Sequence, residues 1–393
     1  MPMDIVLAGA VRTPIGGFGG ALAEVPAPTL GSAAARAALE RAGIQPDAVD
    51  EVIFGNVVSA GLGQNVARQV SIGAGIPASV GATSVNKVCG SGLKAVMLAA
   101  QAITCGDARV VLAGGTESMS RAPYLLDKAR SGYRLGDGRL IDSMIHDGLW
   151  DVYNNVHMGT CGDQCASKYH FTRTQQDDFA IASFERAIAA TKSGAFADEI
   201  VPIDAPAGKT TQRIAEDENL KKFNAEKLRQ LKPAFGKEGT ITAGNASSIN
   251  DGAAAIVAMS STRASELGVK PQAKILGYST FAQEPQWFTT APIGAIGALL
   301  KKLSLDAGQI DLYEINEAFA AVTMAAMHEL KIPHEKINVN GGAIALGHPI
   351  GASGARTLVT LIHALKHRNK KLGIVALCLG GGEAVAMAVE RIL

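Results

Sequence analysis

Four short stretches of this sequence set a thiol, an imidazole or a carboxamide among glycines and small residues, the side chains of nucleophilic and proton-transfer chemistry. Cys89 stands in NKVCGSGLKAVMLAAQAI, after a β-type run and before a long apolar one. A thiol at a helix N-terminus feels the positive end of the helix dipole, which favours thiolate. Gly90 and Gly92 would let a substrate carbonyl approach the backbone, although a buried structural cysteine in a strand-to-helix turn fits the segment equally well. His348 stands in GGAIALGHPIGASGAR, where Gly347, Pro349, Gly351 and Gly354 would hold an imidazole rigidly; alone, a core histidine is the commoner case. Cys378 ends an apolar run in GIVALCLGGGEAV, and the glycines at 380, 381 and 382 expose backbone N–H groups, the material of an oxyanion hole. A buried cysteine before a hairpin turn is the plainer alternative. Asn316 in YEINEAFAA reads by itself as an N-cap for a helix starting at Glu317. Together the four weigh more, because all sit at the C-terminal ends of expected strands, where open α/β sheets place their ligands.

The elements that must position them alternate. Strands are expected at Ile5–Ala8, Glu51–Val57, Thr83–Val88 and Arg109–Ala113, with helices at Thr29–Ala42, Gln64–Ile72 and Ser91–Thr104. The last third repeats the plan, with strands at Lys274–Tyr278, Asp311–Ile315, Lys336–Val339, Gly373–Leu377 and Ala384–Val389 and helices at Pro292–Leu303, Glu317–Leu330 and Ser353–Lys366. Such alternation implies a mostly parallel sheet covered by helices. The pattern of Ala38–Phe54 returns in Leu299–Ile315, and each half has a Ser-Gly (Ser91-Gly92, Ser353-Gly354) opening an apolar helix, so an internal duplication is expected. Between the halves, Arg121–Asn250 is richer in charge, loop-like at Ser131–Arg139, with a helix capped by Thr174 and Asp177. It reads as an insertion on the first core, which resumes at Asp251–Met259.

Composition narrows the function classes. The 393 residues are 47% hydrophobic and 19% charged, enough for a large interior of two or three cores. With 37 basic and 36 acidic residues the net charge is +1, which shows no whole-chain footprint for nucleic acid or an anionic membrane. Five cysteines without framework spacing point to a reducing compartment. The opening MPMDIVLAGAVRTP is unlike a signal peptide, and no uninterrupted apolar run reaches the roughly 18 residues of a membrane span, so a cytoplasmic protein is expected. Cys161 and Cys165 lack a third ligand for zinc, and His363 and His367 read as a solvent-facing edge, so no metal is expected. The clusters Gly16–Gly20 and Gly61–Gly63 lack dinucleotide spacing and there is no P-loop, which argues against an oxidoreductase or an NTPase.

The segments NKVCGSG, NEAFA, GHPIGASGAR and CLGGG, in this order, resemble the signature set of the thiolase family. The resemblance runs from end to end, through VRTPIGGFGG, GLGQNVARQ, AGGTESMS and TAGNASSINDGAAA, and is greatest to the biosynthetic branch. It implies an α/β thiolase fold of two duplicated halves packed in αβαβα layers with an inserted loop domain. The halves would be residues 1–120 with 249–271, and 272–393; the loop domain would be 121–248. It implies reversible condensation of two acetyl-CoA to acetoacetyl-CoA and CoA through acetyl-Cys89, with coenzyme A as substrate and product and no further cofactor. Cys89 would carry the acyl group, and His348 would take its proton and later donate to a thioester oxygen. Cys378 would move the proton at C2, and Asn316 would hold a water. The N–H groups of Cys89 and Gly380 would form a second oxyanion hole. His157 and Met158 match the family's HMG motif beside the pantetheine, Ser247 a pantetheine contact, and Ala318 and Phe319 the tunnel wall. Lys221, with Lys222, would meet the CoA phosphates, although an arginine is expected near there. A homotetramer, a dimer of dimers joined through Arg121–Arg139, is implied as well. The rivals are a longer-chain degradative thiolase, a decarboxylating ketoacyl synthase, and a non-catalytic acyl-CoA-binding protein of the same fold.

Overall fold

The computed structural model describes residues 4–392. Nine strands carry the fold: β1 (Ile5–Arg12), β2 (Glu51–Gly55), β3 (Gly81–Val85), β4 (Val110–Ser118), β5 (Asn250–Ser260), β6 (Ala273–Ala282), β7 (Leu312–Ile315), β8 (Leu372–Leu379) and β9 (Glu383–Arg391). The main helices are α1 (Ala27–Ala42), α2 (Val66–Gly73), α3 (Ser91–Cys105), α4 (Met158–Lys168), α5 (Arg173–Lys192), α6 (Ala291–Leu303), α7 (Ala320–Leu330) and α8 (Ile350–His367).

The first half has strand order β1-β5-β4-β2-β3 and the second β6-β9-β8-β7, antiparallel next to β1 or β6 and parallel at the far edge in both. Antiparallel pairing of Val6 with Lys274 and Leu7 with Ala273 joins them into one sheet, with Gly16–Gly17 added on β5. Helices α1 and α2 cover the outer face of the first half, and α6 that of the second. Helices α3 and α8 lie between the halves. The layers are therefore αβαβα, as expected from the sequence.

The duplication is visible locally. Helix α1 ends on left-handed Gly43, passes through the 3₁₀ turn Pro46–Ala48 and enters β2. Helix α6 ends on left-handed Ser304, passes through Ala307–Gln309 and enters β7. The middle helices follow from their sequences. Sandwiched between sheets, α8 is buried from Ile350 to Leu365, and a helix apolar nearly all round belongs in a core. The window Val88–Cys105 is apolar enough by composition to cross a membrane, but the fold packs it inside the molecule as α3.

Small residues set how closely α3 and α8 approach. A Cβ on Gly92 would meet the Ala355 backbone nitrogen at 2.7 Å, and one on Gly354 would strike the nitrogen of Leu93. A Cβ on Gly55 would meet the Gly92 nitrogen at 2.6 Å and the Gly351 oxygen at 2.7 Å. The inserted region is tied to this core by Arg12 of β1. Its guanidinium donates to Glu199 at 2.6 Å and forks onto Asp217 at 2.7 and 2.9 Å, all fully buried. Such a pair is costly to break from one side, because the remaining charge stays desolvated.

Several expected elements differ. Lys336–Val339 is not a strand: a 3₁₀ turn covers His334–Lys336, and only Ile337 bridges to Tyr313. The side chain of left-handed Asn338 takes the place of a backbone ladder, accepting from the Ile315 N–H at 2.9 Å and donating to its carbonyl at 2.8 Å. Helix α7 starts at Ala320 rather than Glu317, because Glu317 is engaged by Asn338, Ser183 and the Ile344 N–H while Phe319 bridges to Ala246. Helix α5 is boxed by Thr172 and Gln175 rather than by Thr174 and Asp177; Asp177 instead accepts from Arg173 and Asn245. His363 is buried against the Ala10 carbonyl at 2.9 Å, so only His367 of that pair lies at the surface.

The close crossing gives a stability prediction. Gly354→Ala should lose about 3 kcal/mol in urea unfolding from overpacking against backbone. Gly297→Ala on α6, where a Cβ meets nothing within 4 Å, should be neutral or gain up to about 1 kcal/mol.

Candidate active site

Cys89 follows β3 by a strained turn. Val88, β-branched, has φ 45°, a conformation such residues rarely adopt. The turn is held by Asn86 Oδ1 accepting from the Val88 N–H at 3.0 Å and by Ser91 Oγ donating to the Val88 carbonyl at 2.6 Å. The turn leaves Cys89 one residue before Gly90, the cap of α3, and the nearby backbone N–H groups of Cys89 itself and of Gly380 favour its thiolate. Gly380 lies two residues beyond Cys378, near the end of β8, so the loop of one thiol serves the other. An ionised Cys89 would push the Cys378 thiol upward.

His348 does not sit at a strand end, contrary to expectation. It lies between the short helix Ala343–Leu346 and α8, and its own N–H donates to Asn250 Oδ1 at 2.9 Å. Its Nδ1 is 2.6 Å from Ser353 Oγ, and that hydroxyl donates to the Pro349 carbonyl at 2.8 Å. A hydroxyl has one hydrogen; with it on the Pro349 carbonyl, Nδ1–H donates to Ser353. The lone pair is thereby placed on Nε2, which faces Asn316 Nδ2 at 3.4 Å. Asn316 directly follows β7 and is buried; it is not a helix cap.

The site is buried, and burial favours the neutral form of its titrating groups. Burial pushes the Cys89 thiol up to about 12 against the pull of the two backbone N–H groups. The dipole argument for a resting thiolate is therefore outweighed by desolvation. Burial, and then the positive charge of Arg356, pull His348 down to about 3. Burial also sends Cys378 well above an ordinary thiol. At neutral pH the resting pair is a thiol and a neutral imidazole whose free lone pair is ready to take a proton.

A cavity of about 270 Å³ opens onto Cys89 and His348. Five of the residues expected at the substrate arm line it: His157, Met158, Ser247, Ala318 and Phe319. His157 caps α4, accepting from the Gly159 N–H at 3.1 Å, and stacks on Phe235 with ring centroids 4.5 Å apart. Met158 reaches the place a Gly380 Cβ would occupy, 3.5 Å from its sulfur and terminal carbon. Ser247 donates through both its N–H and its hydroxyl to the Ala318 carbonyl, at 2.9 and 3.1 Å, leaving hydroxyl lone pairs for a donor in the cavity. Lys221 lies outside the lining; its ammonium is exposed and pairs with Glu216 at 3.2 Å.

Four polar residues near the site were given no role from the sequence. Ser353 fixes the imidazole tautomer, and Asn250 holds the His348 backbone and is itself tied to the Gly16 carbonyl at 2.9 Å. Glu117 is fully buried under the site, accepting from the N–H groups of Val57, Val58 and Gly351 and from Asn56, with burial pushing it up to about 7. Arg356 is the fourth. Ser353 and Arg356 stand as polar residues in a run of small and apolar ones, whereas Glu117 and Asn250 have polar neighbours and nothing local singles them out.

The chain matches the family models for the thiolase N-terminal domain over residues 5–262 and the thiolase C-terminal domain over residues 269–391. It is 54% identical to acetyl-CoA acetyltransferase 2 of Arabidopsis thaliana, covering 99% of this chain and 97% of that one. It is 51% identical to the acetyl-CoA acetyltransferase of Cupriavidus necator, covering 99% of both. Among solved structures, the Acat5 thiolase from Ascaris suum in complex with coenzyme A superposes with a TM-score of 0.94 at 45% identity, over 99% of this chain and 100% of that one. The Bacillus anthracis acetyl-CoA acetyltransferase superposes with a TM-score of 0.97 at 42% identity, over 99% of each.

The depressed imidazole gives a prediction with a definite sign. Below the unfolded value of about 6.5, the unfolded chain binds a proton at His348 that the native state refuses, so stability falls with acidification. The contribution is intact above pH 6.5 and declines as pH falls toward 3. Relative to His348→Asn, the wild type should lose on the order of 2 kcal/mol between pH 7 and pH 5 in urea titrations. A pH-independent difference would contradict the buried neutral imidazole.

Proposed function

The chain belongs to the thiolase family, and we propose that it works as an acetyl-CoA C-acetyltransferase, joining two acetyl-CoA into acetoacetyl-CoA and CoA reversibly through acetyl-Cys89. The observation that carries the reading is one cavity lined by Cys89 and His348, with the Gly380 N–H near the Cys89 sulfur on the loop that follows a second buried thiol. Acyl transfer needs a nucleophile with two fixed donors for its tetrahedral oxyanion, and carbon–carbon bond formation needs a separate base for an α-proton.

The steps balance in protons. His348 Nε2 takes the Cys89 proton as sulfur attacks the acetyl-CoA carbonyl, whose oxygen is received by the N–H groups of Cys89 and Gly380. Cys378 protonates the departing CoA sulfur and is left as thiolate. That thiolate removes an α-proton from the second acetyl-CoA, and the enolate oxygen is met by the imidazolium of His348 and by a water held on Asn316. The enolate carbon attacks acetyl-Cys89. Cys89 leaves as thiolate and recovers its proton from His348, while Cys378 keeps the α-proton. An imidazole with so low a basicity becomes cationic only beside new negative charge, and it returns the proton readily.

Met158 and Phe319 narrow the cavity beside Cys89, which favours an acetyl group over a long chain. The hydroxyl of Ser247 would accept from the pantetheine, with His157, Ala318 and Phe319 as its walls. Lys221 would exchange Glu216 for a CoA phosphate. For assembly we propose a homotetramer. Leu135 is fully exposed, and Tyr124 and Leu140 on the same 121–145 segment are 64% and 62% exposed, an apolar surface suited to burial against another copy.

CoA-dependent cleavage of acetoacetyl-CoA should be fast, while a long-chain 3-ketoacyl-CoA should be cleaved slowly. Equal rates would move the enzyme to the degradative branch. Cys89→Ala should abolish both half-reactions. Cys378→Ala should still accept acetyl on Cys89, read by mass spectrometry, with condensation reduced about 10²- to 10⁴-fold. Normal condensation by Cys378→Ala would remove it from the proton step. Light scattering should give a tetrameric mass, and Leu135→Asp should shift it toward the dimer; a wild-type dimer at working concentration would refute the tetramer.

A further inference from the structure

Arg356 is the least explained charge in the molecule. It lies on α8, eight residues beyond His348, and is 1% exposed. Its Nε and Nη1 have no hydrogen-bond partner, and no carboxylate lies within the 4.0 Å of an ion pair among the described residues. Its one hydrogen bond runs from Nη2 to Asn316 Oδ1 at 3.4 Å. Glu314 and Glu317, on either side of Asn316, and Glu199 of the inserted region attract it from farther away, while Arg12 repels it. A buried guanidinium normally repays its desolvation through close carboxylates. Arg12 in this same fold does so, with three charge-assisted bonds. Arg356 instead points its donor at a neutral amide in the catalytic centre.

That amide has two ends of opposite character, and which end faces the imidazole decides what Asn316 can do. With Oδ1 held by a cation that can only donate, Nδ2 must turn to His348 Nε2, which it faces at 3.4 Å. If the amide flipped, Oδ1 would accept from a protonated Nε2, holding the proton that Cys89 must recover and removing the amide hydrogens from the enolate oxygen's side. We propose that Arg356 is a positioning residue that fixes the orientation of the Asn316 amide and, through it, the hydrogen-bond donors that receive the enolate. This rests on the roles given above to Asn316 and His348. The same positive charge opposes protonation of His348, in keeping with a base that releases its proton quickly.

The test is a double-mutant cycle on condensation, with Asn316→Ala, Arg356→Met and the double variant, since residues acting as a unit are non-additive. Arg356→Met should lower kcat for condensation by about 100-fold or more with little change in KM. It should leave acetylation of Cys89 within about tenfold of wild type. In the Asn316→Ala background the same replacement should cost less than about threefold, because the amide it orients is gone. A purely structural role would slow acetylation and condensation alike and give losses that multiply, and either result would overturn the proposal. Arg356→Gln, a smaller disturbance of the core whose amide can present an acceptor as well as a donor to Asn316, carries the same cycle should Arg356→Met fail to fold. Absence of thiolase activity in the wild type would instead overturn the functional reading.

Discussion

The site depends on two helices being allowed to touch. Helices α3 and α8 cross in the middle layer with backbone against backbone, a separation that a single added Cβ at Gly92 or Gly354 would forbid. Cys89 precedes the first of these helices and His348 the second, so one crossing brings a thiol from the first half and an imidazole from the other to one cavity. A Ser-Gly pair opens α3 and another lies one turn into α8. In both, the serine hydroxyl donates to a carbonyl just upstream, Val88 for Ser91 and Pro349 for Ser353. The turns themselves differ, since Val88 is left-handed and Pro349 is not.

Dehydration is the second condition. Cys89, His348, Asn316 and Cys378 are all nearly buried, and the same low dielectric that makes resting ionisation costly strengthens each fixed donor as charge develops. Preorganisation therefore falls to neighbours that touch no reacting atom. Ser353 fixes the imidazole tautomer, Asn250 holds its backbone, and Glu117 binds the start of α8 to the loop after β2. Groups like these can stay polar in an apolar interior because nearly every donor and acceptor is matched.

Much of the fold was legible because its signals are local. Strand and helix alternation, the repeated Ala38–Phe54 and Leu299–Ile315 pattern and the Ser-Gly helix starts all survive in the structure within a few residues. The misreadings have a common cause. At Lys336–Val339 a β-type run was displaced by the Asn338 side chain, which copies a strand's hydrogen bonds; at Glu317 and Asp177 an expected helix end was overruled by a distant partner. His363 looked like an exposed histidine because the carbonyl that receives it belongs to Ala10, on a strand more than 350 residues earlier.

By itself the sequence determined the candidate side chains, their order, the glycines beside them and the family to which the chain belongs, since each is written in a contiguous stretch of residues. Only the tertiary structure decided that Ser353 and Asn316 face the two ring nitrogens of His348, that burial pushes the Cys89 thiol up, and that Arg356 gives its one hydrogen bond to Asn316. The physical reason is that protonation, tautomer and amide orientation follow from burial and from partners far along the chain, and neither exists until the halves have packed.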